Sequence, residues 1–145
     1  MEGINHSERA HALLSASGAK RWIACPPSAR LEDQFPDKDT EYSLEGTRAH
    51  ELAERALSLF VKHNADPDAL SHAFLMMLAD LNEEDNRIYK EVIPYIEFII
   101  EEYQNARATH GQAFLLLEQR LDFHEYVPEG FGTGDAILLY GNTLE

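Results

Sequence analysis

A change of hydrophobic period at His110-Gly111 limits the folds open to this chain. Before it, apolar residues recur every three or four positions, which is typical of amphipathic helices. After it, the runs Ala113–Phe123 and Gly132–Tyr140 have the short, apolar character of strands. The sequence therefore predicts an α+β fold class, in which N-terminal helices pack on the first strands of a mixed sheet.

Caps, prolines and polar turns delimit five helical segments and one hairpin. The predicted helices are one over Gly18–Cys25 capped by Ser15-Ala16-Ser17, Ser28–Glu32, Gly46 to about Lys62, Asp68–Leu81 after a cap at Asp66, and a long helix to about Ala108 kinked at Pro94. Residues 34–42 are predicted to form a polar loop. Gly141-Asn142 has the residue types of a two-residue turn, so a third strand is expected from Thr143.

Length and charge limit the classes of protein to which this chain can belong. At 145 residues the chain is expected to form one domain, 1–145, helical over 15–110 and with strands over 113–145. Its net charge of −14 argues against broad, nonspecific binding of nucleic acid, because phosphate contacts need Lys and Arg. It has no apolar run of the roughly 20 residues that a membrane span needs and no signal-like N-terminus, so we expect no membrane partner and a cytoplasmic location.

His50 and Asp135 are the candidate metal ligands, and each has a structural alternative. On a helical wheel, His50 lies at the border of the apolar sector, one turn before Glu54, with Arg48 and Glu51 opposite in water. Wheel position alone favours a partly buried core histidine over a ligand. Asp135 follows a glycine turn, and spacing alone favours an aspartate that caps its own backbone.

Four stretches in order resemble the RecB-type branch of the PD-(D/E)XK nucleases, and more closely an uncharacterised phage and prophage family within it. They are Ser15–Pro26, Glu45–Glu54, the strand around Glu118, and Val127–Asp135. The resemblance implies a restriction-endonuclease-like core and a metal-dependent DNA exonuclease or endonuclease. It also implies that His50, Asp135 and Glu118 are catalytic and hold Mg or Mn; a surface-strand glutamate is the alternative for Glu118.

The resemblance extends to the N-terminal helices. Cys25 matches the first ligand of a 4Fe-4S cluster whose other cysteines lie near the C-terminus of some RecB-type nucleases; a small buried side chain at a helix end is the alternative. Lys20, Arg21 and Arg30 near Trp22 are candidates for contacting DNA. A structural tryptophan with solvated charges around it explains those four residues equally well.

Two parts of the family pattern have no counterpart in residues 1–145. These are an acidic residue two positions before a lysine on the next strand, and a later glutamine and tyrosine pair. We therefore expect the N-terminal part of a nuclease domain, inactive by itself, with weak self-association through an exposed sheet edge. A non-catalytic helical interaction or scaffold module is the alternative function.

Overall fold

The computed structural model describes residues 12–15, 18–35, 40–128, 130–141 and 143–144. The elements are α1 (Ala19–Ala24), α2 (Pro27–Glu32), α3 (Glu41–His63), α4 (Pro67–Ala79), α5 (Glu83–His110), β1 (Ala113–Asp122), β2 (Phe131–Tyr140) and β3 (Thr143–Leu144). The strands form a three-stranded sheet in the order β1-β2-β3. The predicted α+β class is confirmed. None of the helices in the described ranges is long and apolar enough to cross a bilayer.

Contacts divide the chain into two compact units. One comprises residues 1–38 with 119–134, and the other comprises 39–118 with 135–145. The first unit contains α1, α2 and the connection between β1 and β2. The second contains α3, α4 and α5, with the beginning of β1 and the end of β2. The sequence predicted a single domain over 1–145, and that boundary stays a prediction.

The core of the second unit lies between α3, α5 and β1. It consists of residues from these elements and one from α4: Leu52, Ala53, Ala56, Leu57, Phe60, Met77, Ile88, Tyr89, Ile96 and Leu115. Phe60 meets Tyr103 edge to face, with ring centroids 5.4 Å apart, an arrangement that adds to area burial. Apolar positions at helical spacing on α3 and α5 thus face each other.

The third helix begins earlier than the sequence suggested. We predicted a loop to residue 42 and a helix from Gly46, but α3 starts at Glu41 and Gly46 lies inside it. A capping box sets this start: Ser43 N–H donates to Thr40 Oγ1 at 3.1 Å, and Thr40 N–H donates to Ser43 Oγ at 2.8 Å. Local capping therefore outweighs the helix-weakening glycine. Residues 36–39 of the predicted loop lie outside the described ranges.

One boundary each of α4 and α5 lies at the residue that the sequence predicted. Asp66 caps α4 by accepting from two backbone N–H groups, and Gly111 ends α5 with a φ of 76°. The methionines of α4 differ: Met77 is buried, whereas Met76 is 60% exposed. Of these two, Met77 alone contributes to the buried core. The helix α5 continues through Pro94, and the kink there stays a prediction.

The hairpin from β2 to β3 is confirmed. The two strands are antiparallel, with Tyr140 opposite Thr143, so a two-residue loop joins them. Gly141 has a φ of 53°, the left-handed conformation that tight hairpin turns require. Asn142 lies outside the described ranges. In the described sheet β1 and β3 are the outer strands, and self-association through such an edge stays a prediction.

Candidate metal site

The helix α3 directs His50 towards the first strand. Its Nε2 lies 2.8 Å from Oε1 of Glu118, 68 positions later in the chain. The two side chains are 40% and 31% exposed, so the pair is partly shielded and still open to solvent. The structure places His50 at the edge of the core, and its partner is a carboxylate.

Asp135 completes a cluster of three. Its Oδ2 lies 3.7 Å from Nδ1 of His50, so carboxylates flank both nitrogens of the ring. One ligand atom from each of His50, Glu118 and Asp135 can be chosen so that all lie within 4.8 Å of one another. Glu54, one turn beyond His50, is not part of this cluster. The sequence-predicted trio therefore meets at one place, although its members come from three different elements.

Asp135 does not lie in a turn. It is in β2, which begins at Phe131, and among the described glycines only Gly111 and Gly141 have positive φ. Gly132 and Gly134 are therefore strand residues, and the alternative of an aspartate capping its own turn was wrong. Asp135 remains well exposed, and its side chain is accessible to an ion from solvent.

Glu118 has an unusual backbone. Its φ of 51° is the only positive value for a non-glycine residue in the described part of the chain, and this conformation costs roughly 1–2 kcal/mol. Strict alternation would place its side chain with those of Phe114 and Leu116, which are exposed. Local distortions of this kind re-aim side chains and are frequent beside active sites. Here the distortion accompanies the contact between the Glu118 carboxylate and His50.

Tyr95 of α5 lies in the electrostatic field of the two carboxylates. Burial raises the pKa of the Tyr95 hydroxyl, and the negative charges of Asp135 and Glu118 raise it further. A tyrosinate beside two carboxylates is unfavourable because like charges repel. The cluster therefore presents a negative field, which attracts a cation.

The same stretch of α3 contains an ion pair that the helical wheel missed. Arg48, predicted to lie in water, binds Asp85 of α5 through two hydrogen bonds of 2.7 Å, from Nε to Oδ1 and from Nη2 to Oδ2. Asp85 is buried, and the hydrogen bonds from Arg48 lower the pKa of its carboxyl. The same hydrogen bonds raise the pKa of Arg48. A wheel shows which side of one helix a residue occupies, and it cannot show that a neighbouring helix supplies a carboxylate there.

The donor set decides which ions fit. In a site with ligands at 2.0–2.1 Å, neighbouring ligand atoms lie roughly 3 Å apart and opposite ones roughly 4 Å apart. The 4.8 Å spread of His50, Glu118 and Asp135 thus needs only a small contraction. Two carboxylates suit Mg²⁺ and Mn²⁺, and the imidazole favours a transition metal over Mg²⁺. The residues present fit a divalent cation, with Mn²⁺ the better match.

The candidate DNA-binding residues lie in the first unit. Lys20 and Arg30 are exposed, whereas Arg21 forms an ion pair with Glu32 at 3.2 Å. Trp22 Nε1 donates to the backbone oxygen of Ser15 at 2.8 Å, which holds the half-buried indole against the chain. This supports the structural role of Trp22, and DNA contact by the four residues stays a prediction. Ser15 Oγ accepts from the N–H of Gly18, the residue that precedes α1.

Cys25 is not the small buried side chain that its structural alternative predicted. It follows the last residue of α1 and is exposed, so the interpretation as a small buried side chain was wrong. A 4Fe-4S cluster typically needs four thiolates, and the sequence contains one cysteine. These residues therefore do not fit a complete cluster, and the iron–sulfur role of Cys25 stays a prediction about a longer protein.

One family model matches almost the whole chain. Its description is "Protein of unknown function (DUF2800)", and it covers residues 11–145. The chain belongs to the DUF2800 family. No solved structure matches it. The matched range of this DUF2800 protein includes His50, Glu118 and Asp135 as well as the Arg48–Asp85 pair, and the family description assigns a role to none of them.

Proposed function

We propose that this DUF2800 protein contributes metal ligands to a divalent-metal-dependent DNA nuclease with a restriction-endonuclease-like core. One observation carries the proposal: His50, Glu118 and Asp135 converge from α3, β1 and β2. Chance proximity of exposed acids is common, but here the converging residues are the three that the RecB-type resemblance selects. The backbone distortion at Glu118 adds support, since strain of this kind is concentrated at functional sites.

The roles within the cluster derive from its chemistry. Bound there, a divalent ion would neutralise charge on a phosphate and lower the pKa of a water molecule. Glu118 and Asp135 offer carboxylate oxygens on strands. His50 can offer one ring nitrogen to a given ion, and its Nε2 lies 2.8 Å from Oε1 of Glu118. This metal chemistry suits a phosphodiester, and the RecB-type resemblance implies that the phosphodiester belongs to DNA.

Binding of Mn²⁺ tests the metal site directly. We expect Mn²⁺ to bind the protein, as measured by electron paramagnetic resonance of the free ion, and Asp135→Asn, Glu118→Gln and His50→Ala each to weaken it. Glu54→Gln is the matched control, because it removes a carboxylate from α3 outside the cluster. Equal affinity in Asp135→Asn and the parent would exclude this site, as would an equal loss in Glu54→Gln.

A non-catalytic interaction module is the second candidate, and the net charge of −14 favours it. Any coding sequence beyond Glu145 would distinguish the two candidates. An acid-x-Lys strand and then a glutamine and tyrosine pair would support the nuclease. A continuation without them, together with absent Mn²⁺ binding, would support the interaction module.

A further inference from the structure

The ion pair between Arg48 and Asp85 is supported by further hydrogen bonds to Asp85. Asp85 accepts two hydrogen bonds from Arg48 and a third from Asn82 Nδ2 at 3.0 Å. Its own N–H donates to Asn82 Oδ1 at 2.8 Å, the cap of α5. With the Asp85 side chain 10% exposed, loss of Arg48 would leave a carboxylate shielded from water and without its counter-charge.

Arg48 and His50 hold α3 from two sides. Positions i and i+2 of a helix differ by about 200° of rotation. The side chains of Arg48 and His50 therefore point in nearly opposite directions. Arg48 reaches the first turn of α5, and His50 reaches Glu118 of β1. The residues before Arg48 anchor the helix poorly, since Glu41 to Leu44 are exposed and Gly46 weakens the helix. The buried face of α3, including Leu52 and Ala53, holds the rotation of the helix after His50, and the bidentate contact at Arg48 holds it just before His50.

We propose that the Arg48–Asp85 pair is a positioning device that sets the rotation of α3 and so aims His50 at Glu118 and Asp135. This inference rests on the proposed metal site. Arg48 itself touches none of the three ligands in the described contacts, so it acts through the helix. A guanidinium suits this task because its planar fork binds a carboxylate in one fixed geometry.

A second ion pair between the same helices supplies the control. Arg87 Nη2 of α5 lies 2.7 Å from Oε1 of Glu45 on α3, but both side chains are substantially exposed, at 58% and 40%. Exposed pairs contribute little. If any link between α3 and α5 sufficed, loss of either arginine would have the same effect on His50.

The experiment compares Arg48→Met with Arg87→Met in two measurements. We expect Arg48→Met to weaken Mn²⁺ affinity by about ten-fold, as changes behind metal ligands commonly do, and Arg87→Met to change it by less than about two-fold. The second measurement needs no metal: ¹⁵N resonances of the His50 ring, at fixed pH, should move in Arg48→Met and stay in Arg87→Met. Arg48→Lys, which keeps the charge without the fork, should fall between parent and Arg48→Met in both.

The two measurements separate the two hypotheses. If the parent protein fails to bind Mn²⁺, the proposed function fails, and the His50 resonances still decide the positioning role. Unchanged His50 resonances in Arg48→Met, or equal movement in Arg87→Met, would overturn the positioning role. Should Arg48→Met fail to fold by circular dichroism, Arg48→Lys and Asp85→Asn take its place, and an unmoved His50 in both folded variants has the same consequence.

Discussion

His50 and Asp135 are far apart in the sequence, yet Nδ1 of one lies 3.7 Å from Oδ2 of the other. The helix α3 and the strand β2 bring them together, and Glu118 of β1 contacts the opposite ring nitrogen. A histidine between two carboxylates, open to solvent on one side, is a site that a divalent cation can enter. Substitutions in this cluster and in the elements that hold it should have measurable effects.

The charge of Asp135 should be detectable at Tyr95. The pKa of Tyr95 is raised by burial and then by Asp135 and Glu118, so Asp135→Asn should lower it towards the ordinary value near 10. Tyr89 is the internal control, because burial and the charge of Glu97 raise its pKa. Carbon-13 resonances of the tyrosine rings, recorded against pH, measure both. A shift at Tyr89 without one at Tyr95 would contradict the arrangement.

The backbone at Glu118 predicts an inverted preference between glycine and alanine. At most strand positions glycine is less stable than alanine by roughly 0.5–1 kcal/mol. At a φ of 51° alanine retains the left-handed penalty that glycine avoids. Glu118→Gly should therefore unfold in urea at a higher concentration than Glu118→Ala, although both lack the carboxylate. The same two substitutions at Gln119 should show the usual order; an identical order at both positions would refute the strain.

Gly46 should tolerate alanine and gain from it. It lies within α3, has no positive φ, and a Cβ added there meets no atom within 4 Å. Gly46→Ala should therefore raise the free energy of unfolding by about 0.5–1 kcal/mol. Thermal unfolding with circular dichroism detects this change. Destabilisation instead would contradict the placement of Gly46 inside α3.

Acid should weaken the contact of Arg48 with Asp85. The pKa of Asp85 is lower in the folded protein than its ordinary value, so the unfolded chain takes up the proton first as pH falls. The stabilisation is present above about pH 4 and is lost as pH falls through the folded pKa. The stability difference between the parent and Asp85→Asn should thus be largest near neutral pH and shrink in acid. A difference that grows below about pH 4 in urea titrations would contradict this linkage.

Residues 1–145 alone should not cleave DNA. Among the described residues, His50, Glu118 and Asp135 are the ones grouped closely enough to hold the ion, and the family pattern adds a further acidic residue and a lysine. Loss of one positioned electrostatic group typically costs about 10²- to 10³-fold in rate. Plasmid and single-stranded oligonucleotide incubated with Mg²⁺ or Mn²⁺ should remain intact. Cleavage that disappears in Asp135→Ala would show that the three ligands suffice.

The sequence by itself indicated the order and type of the elements, and the family resemblance supplied the candidate ligands. The change of period at His110-Gly111 separates helices from strands because side chains repeat every 3.6 residues in one and every two in the other. The caps at Asp66 and Gly111 are local interactions, and they too were predictable. The start of α3 is also set by a local interaction, between Thr40 and Ser43. The prediction began the helix at Gly46 instead.

The tertiary structure decided what the candidate ligands and their neighbours touch. Local patterns describe one helix or strand at a time, so they contain no sign that Asp85 lies beside Arg48 or that Glu118 reaches His50. The left-handed φ of Glu118 is likewise invisible in the sequence, because glutamate has no intrinsic preference for that conformation. Contacts between distant segments arise only when the elements pack together, and the geometry of this site consists of such contacts.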